Sequence, residues 1–312
     1  MKSVSFFFFS ILFCVMVWSQ KDHYTVVAEQ GDGIFSLLRK QGLDPVEHYV
    51  EFVELNKDDL RKGSQLQLGM SYKVPYSLDS FKKTGVRVDM VDGTETSLFE
   101  KELSKMSLKS NRLKNAVYYL LIENHVQENS GFLQQMTKKL AADLMVQGAQ
   151  IYVLDMMNSI TAQEDTVDIG TDKLGQCVDA VNKRYLKHNK KYQRVLLLRL
   201  KNAVDDSKMN LAFSHYQNSG DGQRFADNLQ GVFKKHGINK RGEETEGSSI
   251  FEDKSTLFLA KNLLPTVTLL TLDNNSESIN GEQLHIRVDN KRFAQLLGNG
   301  ILKDYADLEI ED

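Results

Sequence analysis

Beyond residue 114 the chain carries short, nearly continuous apolar runs: NAVYYLLI at 115–122, QIYVLDM at 150–156, RVLLLRL at 194–200 and TVTLLTL at 266–272. Each is bounded by polar residues, the pattern of a strand buried on both faces. Between the runs, apolar positions return every three or four residues in LQQMTKKLAADLMVQG (133–148) and across 171–190, 221–235 and 289–305, which predicts helices. Strand and helix in alternation predict an α/β sheet domain over 115–308.

The beginning of the chain reads differently. YTVVAEQGDGIFSLLRKQGL (24–43) opens as a β-like run, breaks at Gly31-Asp32-Gly33 and continues with Ile34, Leu37 and Leu38 at helical spacing. A second helical stretch runs from Tyr49 to Leu55, then comes the polar NKDDLRKG, then LQLGMSYKVP closing at Pro75. The spacing thus predicts strand, helix, helix, strand over 20–76, a unit so small that its buried area is marginal. Residues 77–114 are rich in Lys, Ser and Asp, with only weak alternation in VRVDMV, and predict a partly ordered linker. The acidic end DYADLEIED, with 309–312 as its last residues, predicts a solvated tail.

Composition changes this picture in a few places. At 312 residues, with 41% hydrophobic and 26% charged positions, the chain is a folded protein longer than one core needs, so two domains are expected. The 39 basic and 42 acidic side chains lack the basic surplus that binding a phosphate backbone requires, which excludes nucleic acid as a partner. The opening MKSVSFFFFSILFCVMVWSQ places Lys2 before an apolar run from Val4 to Trp18 that is short for a bilayer span, followed by the small Ser19. This is the grammar of a secretory signal peptide at 1–19, cleaved after Ser19; an uncleaved anchor is the competing reading, because Trp18 is bulky for a cleavage site. Phe13 before Cys14 argues against lipidation. The mature chain is expected to be exported to the periplasm or cell envelope with no membrane span. Cleavage leaves Cys177 alone, so neither a disulfide framework nor a cysteine-rich zinc site is expected. In a helical stretch without an adjacent histidine, Cys177 reads as a small buried apolar side chain.

The first unit resembles a LysM module, a family of small βααβ domains that bind N-acetylglucosamine-containing glycans such as peptidoglycan and chitin. The matching residues are Tyr24-Thr25-Val26, Gly31 through Leu37, Asn56, Gly63 with Leu66, and Tyr72-Lys73-Val74-Pro75, whereas Gly33 stands where the family usually has Thr. The resemblance implies a glycan groove between the first turn and the loop after the second helix, formed by Gly31, Asp32, Gly33, Ile34, Leu55 and Asn56. Glycine there lets backbone amides come close to sugar N-acetyl groups.

Residues 115–308 resemble the zinc-dependent N-acetylmuramoyl-L-alanine amidases, which imply a mostly parallel central sheet flanked by helices. The matching pieces are Leu198-Arg199-Leu200-Lys201-Asn202-Ala203, SHYQNSGDGQRFADNLQ, Arg241-Gly242, FLAKNLLPTVTLL and FAQLLGNGILKDY. In the family a histidine that binds zinc stands where this chain has Arg199, and a general-base glutamate falls five residues after the proline, here Leu270. Leu270 cannot accept a proton, and a permanently charged guanidinium repels a metal cation. The family's Gly-His-Gly-Gly turn is missing too; IENHVQENSG holds only His125 and Glu128 as weak metal candidates, with His215 as a third.

These residues point to an exported peptidoglycan-binding envelope protein whose amidase-like domain has lost catalysis and needs no cofactor, with Arg199 and Asn202 lining a groove in which Arg199 meets a ligand carboxylate. One alternative is an active zinc amidase, a cell-wall hydrolase with relocated ligands His125, Glu128 and His215. Another is a regulatory scaffold for a second envelope protein.

Overall fold

The computed structural model describes residues 23–77, 80–100, 102–124, 130–156, 171–202, 209–236, 248–273, 284–286 and 289–311. The expected signal peptide, His125, Glu128, Ala203 and Arg241-Gly242 lie outside the described residues. The chain divides into two compact units, Met1–Leu78 and Asp79–Asp312.

In the first unit β1 (His23–Val27) leads through α1 (Ile34–Lys40) and α2 (Pro45–Leu55) to β2 (Ser71–Pro75). β1 and β2 pair antiparallel with Thr25 opposite Lys73. The turn after β1 is possible because Gly31 takes φ +87°, a left-handed conformation that a side chain disfavours. Asp44 starts α2 by accepting the Val46 N–H, and Pro45 supplies a first helical residue that needs no donor. The two helices and the strand pair close over Leu37, Leu38, Phe52, Tyr72 and Val74, all fully buried.

The second unit runs α3 (Phe81–Thr84), β3 (Gly85–Val88), β4 (Glu95–Ser97), a 3-10 turn (Glu102–Lys105), β5 (Ala116–Asn124), α4 (Ser130–Met145), β6 (Gln150–Asp155) and α5 (Thr171–Lys187). It continues with β7 (Tyr192–Leu200), β8 (Met209–His215), α6 (Gly220–Lys235), β9 (Ser249–Ile250), α7 (Lys254–Asn262), β10 (Thr266–Asp273), β11 (Leu284–Ile286) and α8 (Asn290–Glu311). The sheet order is β11-β8-β10-β7-β5-β6-β3-β4, with β9 beside β8. Strands β3, β6, β5, β7 and β10 are mutually parallel, and β4 and β8 flank them antiparallel. All four apolar runs become parallel strands of this block, buried on both faces as their composition requires.

Alternate residues of each strand feed two cores. Tyr118, Leu120, Leu196 and Leu198 pack with α4, α6 and α8, while Val117, Tyr119, Val195 and Leu197 pack with α5 and α7. Cys177 of α5 is buried among the second set, and burial pushes its thiol pKa up to about 12, so it is an inert apolar side chain. No helix among the described residues is long and apolar enough to cross a membrane.

Two expectations need correction. The stretch read as a linker joins the sheet: β3 pairs parallel with β6, Arg87 opposite Val153. Its polar composition misled because its buried apolar residues, Phe81, Val86, Val88, Met90, Phe99, Leu103 and Leu113, are scattered among polar ones, and Arg87 on β3 is exposed. The acidic end is not a free tail either, since α8 continues to Glu311 and Asp304 within it is wholly buried. Asp304 accepts hydrogen bonds from Tyr192 Oη, Arg224 Nε and Asn228 Nδ2, so its charge is satisfied inside the fold.

Candidate functional site

The carboxyl ends of the parallel strands carry ionisable residues that close each apolar run: Glu123 on β5, Asp155 on β6, Arg199 on β7 and Asp273 on β10. This edge is where open α/β sheets place their ligands. Glu123, Arg199 and Thr271 lie side by side across β5, β7 and β10, on the face covered by α5 and α7. Asp155 points to the opposite face, toward α4, where Gln134 Nε2 lies 3.5 Å from its Oδ2.

Arg199 is the centre of this edge. Its Nε donates to Glu123 Oε2 at 2.8 Å and its Nη1 to Asp253 Oδ2 at 2.9 Å. Nη2 reaches Thr256 Oγ1 at 2.8 Å and Asp253 Oδ1 at 3.3 Å. Asp253 is also the N-cap of α7, accepting the Thr256 N–H and the Ser255 and Thr256 hydroxyls. The guanidinium therefore clamps β7 to β5 and to the start of α7, a fixed fork filled by acceptors of the same chain. Burial disfavours the charge of Arg199, but the Glu123 and Asp253 carboxylates outweigh it and keep the group protonated. Burial likewise acts to raise the Asp253 pKa; the hydrogen bonds and charge of Arg199, with the Ser255 and Thr256 hydroxyls, overcome it and hold the carboxyl well below the usual range.

The expectation that Arg199 lines an open groove is thus corrected, whereas Asn202 is exposed. Arg199 is buried in its own ion pairs, and Asn202 donates from Nδ2 to Asp273 Oδ1 at 2.7 Å. Leu270 belongs to the other face: it pairs with Leu198 and packs in the core beneath α4, α6 and α8. The residue beside Arg199 on β10 is Thr271. His215 is farther away still. It sits opposite Thr268, about 10 Å before Thr271 along β10 at about 3.3 Å per residue, and its Nδ1 lies 3.1 Å from the Tyr216 carbonyl. Among the described residues no three His, Cys, Asp or Glu side chains converge as a metal site. At the two positions where the amidase resemblance would have a zinc ligand and a base stand a guanidinium held by two carboxylates and a leucine facing the far core, a pair that does not fit a catalytic zinc.

In the first unit, three of the six expected glycan residues have roles in the fold. Asn56 is buried; its Nδ2 donates to the Phe52 and Lys73 carbonyls at 2.8 and 2.7 Å, and its Oδ1 accepts the Lys73 N–H at 2.7 Å. Ile34 is a core residue. Asp32 accepts the Glu29 N–H at 2.9 Å and ion-pairs with Lys40 at 2.8 Å. Burial acts to raise its pKa, and the Lys40 and Glu29 bonds more than offset this, so the carboxyl sits below its ordinary value. Gly31 and Gly33 are exposed with open space where a side chain would stand, and Leu55 is half-buried. Sequence reasoning passed over Phe35, which is 46% exposed beside this turn and packs on the Tyr49 ring at 5.4 Å between centroids. It also passed over Glu123, Asp155, Asp253 and Asp273. The available signal was an apolar run that ends in an acid, as in LLIE, VLD and LLTLD.

No family model matches the chain, and no curated protein matches it. Among solved structures it is similar to the CwlD amidase from Clostridioides difficile in complex with the GerS lipoprotein, with 13% identity and a TM-score of 0.37 over 61% of this chain and 98% of that one. It is similar to the catalytic domain of CwlV, an N-acetylmuramoyl-L-alanine amidase from Bacillus (Paenibacillus) polymyxa var. colistinus, at 14% identity and a TM-score of 0.34, covering 61% and 98% of the two chains. A metallo-carboxypeptidase from Burkholderia cenocepacia gives 11% identity and a TM-score of 0.34 over 80% and 74%. Likeness of this size assigns no activity.

Proposed function

We propose that this chain is an exported cell-envelope protein that binds peptidoglycan through its first unit and carries a non-hydrolytic, amidase-like second unit. The observation that carries the loss of hydrolysis is the Arg199 clamp. Where the amidase resemblance calls for a neutral imidazole on zinc, a buried cation is held by two carboxylates, and no base stands at Leu270. Export rests on the signal-peptide pattern at 1–19. Glycan binding is supported by the βααβ order of the first unit and by an exposed surface at Gly31 and Gly33 beside the Phe35–Tyr49 pair. Exposed aromatic faces suit the apolar faces of sugar rings, and glycine amides suit N-acetyl groups.

Sedimentation of the mature chain with purified peptidoglycan tests the proposal, run beside zinc analysis and an assay for released stem peptides. Expected are co-sedimentation weakened by Phe35→Ala, no stem-peptide release and no stoichiometric zinc. Zinc together with turnover would overturn the loss of hydrolysis. Failure to sediment would overturn glycan binding and leave the scaffold reading, in which another envelope protein is the partner.

A further inference from the structure

A cavity of about 330 Å³ opens between α4 and the sheet edge, on the face opposite the Arg199 clamp. Its floor is β4, β3, β6 and β5, represented by Thr96, Arg87, Val153 and Ile122; its roof is α4, with Gln134, Thr137 and Lys138. The volume falls at the small end of the range for ligand pockets, about 300–1,000 Å³.

Three side chains give the cavity its chemistry. Arg87 stands opposite Thr96 on β4 and Val153 on β6, and its exposed guanidinium has no ion-pair partner among the described residues. Lys138 adds a second cation, tied to Glu102 at 2.7 Å and lying over the Phe99 ring. Gln134 adds a half-buried amide from α4. Glu95 on β4 is turned to the other sheet face and paired with Arg184 at 2.7 Å, while Asp155, two residues beyond Val153 on the cavity's own face, lies 3.5 Å from Gln134 Nε2 and forms no ion pair with Arg87.

We propose that this cavity binds a small ligand through an oxyanion, a carboxylate or a phosphate, with Arg87 gripping the anion and Gln134 and Lys138 meeting its polar remainder. A guanidinium fork matches both oxyanions in a bidentate manner, whereas an ammonium does not. The site is independent of the Arg199 edge and of the first unit, so it stands whatever becomes of the glycan-binding proposal.

Calorimetric titration of the full mature chain with inorganic phosphate and, separately, with N-acetylglycine tests it and separates the two sources. Expected is saturable one-to-one binding of at least one probe. Arg87→Gln should weaken it by about tenfold or more, the worth of a charged hydrogen bond, and Gln134→Leu by a few-fold. Arg87→Lys, which keeps the charge and loses the fork, should fall between wild type and Arg87→Gln. Arg112→Gln, at an exposed arginine elsewhere, should bind as wild type does. Phosphate binding alone would identify a phosphate ligand, and N-acetylglycine binding alone a carboxylate with an adjoining amide. No binding of either probe up to about 10 mM, or affinity unchanged by Arg87→Gln, would overturn the proposal.

Discussion

Arg199 shows how a single side chain can close a site. Its partner Glu123 is 2% exposed, so removing the cation strands a carboxylate in the core, which costs about 3–5 kcal/mol. Arg199→Met is therefore expected to destabilise the second unit by that amount in denaturant unfolding. The double variant Arg199→Met/Glu123→Leu should recover part of the loss, since the buried carboxylate goes with the cation and the Asp253 carboxylate left behind is 39% exposed to water. Asp253 is more exposed, and its contribution is smaller because solvent screens it. Asp253→Asn keeps the helix cap and removes the charge, so about 1–2 kcal/mol should be lost at neutral pH. The folded-state pKa of Asp253 is depressed, so its contribution is complete above the unfolded carboxylate value of about 3.9 and is lost as pH falls through the folded value. The stability gap between wild type and Asp253→Asn should accordingly be flat above about pH 5 and shrink below about pH 4, measured by urea unfolding across that range. None of this was legible at Arg199 itself. The chain declares a charge within an apolar run, but its partner Asp253 lies far along the sequence, and only folding brings α7 to β7.

Among the elements, α8 is the one whose packing is set by single atoms. Gly300 faces α6, where an added Cβ would stand 2.7 Å from Leu229 Cδ2 and 3.0 Å from its Cα. Gly300→Ala should cost about 1–3 kcal/mol, because the backbone of a packed helix cannot give way. Gly298 on the same helix meets only Leu140 at 4.0 Å, so Gly298→Ala should be neutral or stabilising by up to about 1 kcal/mol through helix propensity. Melting temperatures of the two variants separate close approach from propensity. Strands β5, β6, β7 and β10 were readable because a strand buried on both faces must be apolar throughout. Strands β3 and β4 were not, since near the edge half the residues meet solvent and the signal falls to two valines. The buried Asp304 was hidden for a related reason: in sequence an acid satisfied by Tyr192, Arg224 and Asn228 looks the same as one satisfied by water.

The whole molecule holds separate cores in its two units. Scanning calorimetry is expected to resolve separate transitions, with the smaller unit contributing the smaller heat. Asn56→Ala, which strips the Lys73 backbone of a buried partner on both its N–H and C=O, should lower only the small transition, by about 2 kcal/mol. The four central strands and the helices between them, the division into two units, the burial of Cys177 and the inability of Leu270 to accept a proton follow from local composition and spacing, because burial and residue chemistry act on each position separately. The separation of Leu270 from Arg199 by the thickness of the sheet, the distance of His215 from the carboxyl edge, the use of Asn56 as a structural bridge and the cavity around Arg87 depend on strand register and on contacts between distant segments. A shift of one residue in register turns a side chain to the other face, and no local pattern along the chain records which partner will stand opposite.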